Sequence, residues 1–425
     1  MLDFSDKAYR YFEPKPNRWV EGLLRWVNRR FFLPGKGHFV SEVRVENAEV
    51  VAEARERAGN RLLLLPNHPT HSDAAIMTEV FRRLDLPVSF MAAYDVFLRS
   101  AFDAWCMQRM GCFSVDREGS DRASMREAVG ILKGGERSLV IFPEGNVYLN
   151  NDFVTPFQDG PAFLGLKAQG DLREDEAILA VPVSLKVTHL TNSRAETRRM
   201  LKSLAGRVSS EFEESVDPVA EVKRLGRLAL RKVLTSLSRR DPGEVAEQDL
   251  PRALRDLAVE GIVKLEEELD LTAKEQDEPV DRIRKIRRKI HSLRIAENPD
   301  LADFKARTLA AEAMMAYRLL TYPGNYLEEN PSLNRMAETV EKLLEDLSGE
   351  PVAPYVPRRA LVRFGEPIDL AAEKSQGKGR VLVAELTRRF EESVQAGVDA
   401  LNARNDSPGS EPFSSLAECT KEVGA

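Results

Sequence analysis

Leu62-Leu63-Leu64-Leu65-Pro66-Asn67-His68-Pro69-Thr70-His71-Ser72-Asp73 joins an apolar run to a dense polar cluster, and a helical pattern, Asp73–Leu84, begins where the cluster ends. Four leucines without alternation read as a short strand buried on both faces, the kind found in parallel sheets covered by helices. The pattern then repeats. Val88–Ala92, Cys112–Val115, Leu139–Phe142 and Ile178–Leu185 read as further strands, and Val96–Met110 and Asp121–Lys133 as the helices between them. Strands alternating with crossover-length helices indicate an α/β fold with a mainly parallel sheet and surrounding helices.

Outward from this core, 61–194, the character changes. From 195 to 350 the chain is highly charged and helical, with apolar stripes at Leu254, Leu257, Leu265 and Leu269 and at Ile283, Ile286, Ile290 and Leu293. The first stripe lies on an acidic helix and the second on a basic one, as expected of an antiparallel hairpin. Helices are expected over Asp300–Leu320 and Leu333–Leu347, parted by the turn Tyr322-Pro323-Gly324-Asn325. Ala360–Arg363 is a strand placed to complete the first sheet, followed by a helix, Val381–Leu401, so that 351–404 belongs to the core and 195–350 is a large charged α-helical insertion. The polar stretch 405–425 reads as a mobile tail.

In the lead-in, 1–60, the segment Pro16–Leu33 sets Trp19, Val20, Leu23, Leu24, Trp26, Val27 and Phe31 on one helical face, with Arg18, Glu21, Arg25, Asn28 and Arg29 opposite. Such a face fits either a membrane interface, where Trp19, Trp26 and Phe31 would contact lipid, or packing on the domain's own core.

Composition narrows the function classes. The 425 residues carry a net charge of −6, which argues against a general nucleic-acid binder. Apolar residues make up 43 %, enough for a large core, and charged residues 31 %, above the roughly 25 % usual for soluble proteins. Three cysteines, Cys106, Cys112 and Cys419, are too few for a disulfide framework, and the first residues lack a secretory signal pattern. A reducing, cytoplasmic setting is expected. The longest apolar run, Leu62–Pro66, falls far short of the about 20 residues a transmembrane helix needs.

The chemistry concentrates at strand ends, where α/β sheets hold their ligands. His68 and Asp73 are five residues apart across a turn containing proline, close enough for the carboxylate to reach an imidazole nitrogen and make a general base. Helix capping by Ser72 or Asp73 is the plainer alternative. A metal site from His68, His71 and Asp73 lacks support, since His38, His189 and His291 show no paired spacing. Gly111-Cys112-Phe113-Ser114-Val115-Asp116-Arg117 ends on an arginine able to grip phosphate or carboxylate. Ile141-Phe142-Pro143-Glu144-Gly145 ends on a carboxylate and a glycine that lets a ligand approach backbone.

These elements, with Val181-Pro182-Val183, resemble in order and spacing the four blocks of the glycerolipid acyltransferase superfamily, the lysophosphatidic acid acyltransferase-like proteins. The resemblance covers about Arg61–Val187, and Val362-Arg363-Phe364-Gly365-Glu366-Pro367 resembles the strand that closes that domain. It implies His68 as catalytic base, Asp73 as its orienting carboxylate, and Arg117, Glu144 and Gly145 as acceptor-binding positions. It implies transfer of a fatty acyl group from acyl-CoA or acyl carrier protein to a lysophospholipid-like hydroxyl, such as that of 1-acylglycerol 3-phosphate, with no cofactor, at the cytoplasmic face of a membrane. One departure stands out: Asn146-Val147-Tyr148 replaces the family's usual Thr-Arg-Ser. A non-catalytic membrane- or protein-binding module on the same fold is the rival, with the basic face Arg282–Arg294 as its working surface.

Overall fold

The four leucines divide between two cores, because successive strand side chains point to opposite faces. Leu62 and Leu64 pack with Val181, Val183, Val362 and Phe364 against Ile76, Met77, Val80 and Phe81. Leu63 and Leu65 face the other layer, with Ala128, Leu132, Leu164, Phe390 and Val394. The computed structural model describes residues 9–117, 121–213, 217–236, 250–274, 277–295, 299–322, 325–377 and 379–413. Cys419, residues 414–425 of the expected tail and Pro323-Gly324 of the expected turn lie outside the described residues.

Two compact units emerge. The α/β unit, Tyr9–Asn192 with Ala353–Ser410, begins with α1 (Arg18–Val27), a π-helical turn over Asn28–Phe32, β1 (Val40–Glu46), α2 (Ala48–Ala58), β2 (Leu62–Pro66) and α3 (Asp73–Arg83). It continues through β3 (Val88–Ala93), α4 (Tyr94–Phe97), α5 (Ala101–Arg109), β4 (Phe113–Val115), α6 (Arg122–Gly134), β5 (Ser138–Val140), α7 (Gly160–Gly170) and β6 (Leu179–His189). The helical unit holds α8 (Arg194–Arg207), α9 (Pro218–Ser236), α10 (Leu250–Glu268), α11 (Pro279–Ile295), α12 (Pro299–Leu320), α13 (Tyr326–Glu329) and α14 (Leu333–Ser348). The chain returns to the α/β unit with β7 (Arg358–Phe364), β8 (Ile368–Asp369), α15 (Leu370–Gln376) and α16 (Gly379–Ala403).

Strand order is β1-β7-β6-β2-β5-β3-β4, with β8 beside β6. β2 runs parallel to β5 and β6, and β3 parallel to β4 and β5, while β7 is antiparallel to β6 and parallel to β1. The carboxyl ends of β2 to β6 therefore share one edge with the amino ends of β1 and β7. The fold is α/β with a mostly parallel sheet.

Some elements differ from the sequence pattern. The expected helix Val96–Met110 is two, α4 and α5, because Ser100 Oγ accepts the Asp103 N–H at 3.0 Å and starts a new helix. β1, α2 and α7 were not expected. Residues 405–413 are placed where a mobile tail was expected: Asn405 Nδ2 donates to Thr188 Oγ1 at 3.2 Å and Ser407 is buried in the α/β unit, while Phe413 is buried in the helical unit.

Within the helical unit, Leu201, Leu204, Val222, Leu225, Met336, Val340 and Phe413 form one core. Both apolar stripes are buried at Leu265, Leu269, Ile283, Ile286 and Ile290. Arg282 of basic α11 forks onto Glu266 of acidic α10 at 2.9 and 2.5 Å.

Candidate active site

Four strand ends converge on the turn after β2. Asn67 holds that turn to the sheet: its side chain accepts the Leu185 N–H at 2.7 Å and donates to Leu185 O at 2.9 Å, extending the β2–β6 ladder by one rung of side-chain amide. The next residue, His68, is thereby fixed at the sheet's carboxyl edge.

Asp73 opens α3 and is fully buried. Its Oδ2 lies 2.8 Å from His68 Nδ1 and accepts the Thr70 N–H at 2.8 Å, while Oδ1 accepts the Thr70 hydroxyl at 2.6 Å. A carboxylate that accepts from every neighbour fixes the proton on His68 Nδ1 and leaves Nε2 free to take a proton. Phe142 stacks on the imidazole with centroids 4.2 Å apart. Both Thr70 and Phe142 were missed as site residues, although each lies inside a quoted motif.

Glu144 is buried, and its two oxygens are spent on backbone: Oε1 accepts the His68 N–H at 2.5 Å and Oε2 the Thr155 N–H at 3.1 Å. Burial pushes its carboxyl up to about 7, against the opposing pull of those amides. Gly145 has φ +75°, and a Cβ there would meet Gln158 Nε2 at 1.9 Å, so any other residue at this turn is strained and must displace Gln158. Arg117 donates to Gly145 O at 3.1 Å and to Asp95 Oδ2 at 3.0 Å. The structure thus links His68, Asp73, Glu144, Gly145 and Arg117 in one hydrogen-bonded cluster, and adds Asp95. Asp95 was legible only as one more polar residue at a strand's carboxyl end.

Cys112 is buried and its thiol is pushed up to about 12 by burial, so it is no nucleophile at neutral pH. Among the described residues, no group of three or more His, Cys, Asp or Glu is placed to hold a metal ion. None of the described helices is long and apolar enough to cross a membrane.

The amphipathic lead-in segment turns part of its polar face, Glu21, Arg25 and Asn28, inward. Glu21 and Asn28 are buried; Glu21 is gripped by Arg25 at 2.6 Å and by both terminal nitrogens of Arg137 at 3.0 and 3.1 Å, and Asn28 Nδ2 donates to Ala75 O at 2.9 Å. The aromatic face looks outward: Trp19 is 89 %, Trp26 52 %, Phe31 62 % and Phe32 56 % exposed. The π-helical turn, closed by Leu33 N–H to Asn28 O at 2.8 Å, lets adjacent Phe31 and Phe32 both face out while Leu33 is buried. Phe102 and Trp105 of α5 add exposed aromatic surface.

Comparison with known proteins bears on this sheet edge, where a buried carboxylate, a histidine and a braced arginine meet. The family model described as Acyltransferase matches residues 42–186, from β1 into β6, so this part of the α/β unit is similar to that family. Among curated proteins, the 1-acyl-sn-glycerol-3-phosphate acyltransferase of Streptococcus pneumoniae is 24 % identical over 203 residues. That match covers 48 % of this chain and 62 % of the relative. No solved structure matches the chain.

Proposed function

We propose that this protein transfers a fatty acyl group from a thioester, acyl-CoA or acyl carrier protein, to a hydroxyl of a lysophospholipid-like acceptor at a membrane surface. His68 Nε2 removes the hydroxyl proton, the oxygen attacks the thioester carbonyl, and the thiolate leaves with the proton returned from the imidazolium. Asp73 holds the tautomer and stabilises the imidazolium. The observation that carries the reading is the 2.8 Å contact from His68 Nδ1 to Asp73, itself locked by two bonds from Thr70.

Support for the membrane surface comes from the lead-in helix. A solvent-facing row of Trp19, Leu23, Trp26, Phe31 and Phe32 is unusual for a water-facing helix, and aromatic rings with flanking arginines suit the headgroup region. On this reading the protein binds the cytoplasmic leaflet peripherally. Purified protein incubated with a labelled acyl thioester and a panel of lysolipids tests the proposal; labelled diacyl product supports it, and hydrolysis alone or no turnover rejects it.

A further inference from the structure

Asp95 is the second residue of the short turn of helix after β3, next to Arg117 from the end of β4. Its Oδ2 is taken by the Arg117 guanidinium; its Oδ1 is buried and receives no hydrogen bond from any described residue. Arg117, the cation the motif offers to an acceptor, is therefore already half-neutralised by a carboxylate and oriented by Gly145 O. The third block adds no cation of its own. Val147 and Tyr148 are buried and the Asn146 side chain accepts its neighbour's N–H at 2.9 Å.

These two features point the same way. A phosphate monoester entering here would set its charge against the Asp95 carboxylate, and like charges brought together oppose binding. A hydroxyl does the reverse: its proton fills the empty acceptor Oδ1 while its oxygen accepts from the guanidinium. A buried acceptor left open for a ligand's donor discriminates against ligands lacking that donor.

We infer that the acceptor carries a polyol head group, recognised through a free hydroxyl by the Asp95–Arg117 pair, and that this pair disfavours a bare phosphate monoester. The inference rests on the acyl-transfer reading above and names its acceptor class.

The test uses the full chain, labelled acyl-CoA and two acceptors in matched mixed micelles: lysophosphatidylglycerol, with a free head-group diol, and 1-acylglycerol 3-phosphate. Wild type should favour the diol acceptor in kcat/KM by about tenfold or more. Asp95→Asn keeps an oxygen for Arg117 but presents a donor where Oδ1 was, so it should cut the diol acceptor and raise the monoester, moving the ratio at least about tenfold, with the KM for acyl-CoA unchanged. Preference of wild type for the monoester, or an equal loss on both acceptors in Asp95→Asn and Asp95→Ala, would overturn the inference while leaving acyl transfer in place. The wild-type ratio decides if neither variant folds. Absence of transfer to every lysolipid would reject the acyl-transfer reading itself.

Discussion

Replacing Glu144 by glutamine exchanges an acceptor oxygen for an NH2 group in a buried pocket where two backbone N–H groups, those of His68 and Thr155, both need an acceptor. One backbone N–H must then face a donor, which moves the turn that carries His68. Small displacements of a reacting group cost up to about 10² in rate, so kcat should fall about 10- to 100-fold, with little change in acceptor KM. That split separates a brace from the acceptor-binding role the resemblance implies. The same substitution has a pH signature. Glu144 titrates near 7 in the folded chain against the usual 4.5, a difference worth roughly 3 kcal/mol. Because the folded-state value is raised, the folded chain holds the proton more tightly. Wild-type stability relative to Glu144→Gln is therefore greatest below pH 4.5 and falls by roughly 3 kcal/mol as the pH rises through 7. Urea unfolding of both proteins from pH 4.5 to 8 measures the difference, in which other titrating groups cancel. A difference that stays flat, or an acceptor KM that rises while kcat holds, refutes the reasoning.

Thr70→Val should lower kcat about tenfold by stripping the hydroxyl bond from Asp73 Oδ1, with Thr70→Ser restoring most of it; steady-state kinetics showing equal loss in both variants would assign the effect to packing. Trp19, Trp26 and Phe31 changed together to serine should release the protein from anionic vesicles in a flotation assay while leaving its unfolding midpoint unchanged, because the three rings already face solvent. Wild-type binding to those vesicles should weaken with added salt. Gly145→Ala should reduce both stability and activity, since the turn needs positive φ and the Cβ would strike Gln158; circular dichroism melting and the transfer assay check it.

The centre of the fold could be read directly, because the leucines at 62–65 are buried on both faces and leave no pattern but a strand's. β1 could not be read so easily. Val40-Ser41-Glu42-Val43-Arg44-Val45-Glu46 is an edge strand with only Val40 and Val43 buried, and its partner Arg358–Phe364 lies more than three hundred residues on. Amphipathicity of α1 was plain, but a helical stripe does not say which side meets the protein. The answer depends on Arg137, whose ion pair with Glu21 spans 116 residues. The His68–Asp73 contact is local, five residues apart, and so was legible. The roles of Glu144 and Asp95 depend on different strand ends meeting, which only the folded sheet reveals.

The claim on which the rest depends is that His68, held by Asp73, is the base of a direct acyl transfer. Purified wild type and His68→Ala, shown by circular dichroism to share a fold, are compared for formation of labelled diacyl lipid from acyl-CoA and lysolipid. A positioned base contributes typically about 10²–10⁴ in rate, so His68→Ala should lose at least about a hundredfold in kcat, and Asp73→Asn about as much or less. Wild-type turnover in the His68→Ala protein would contradict the account.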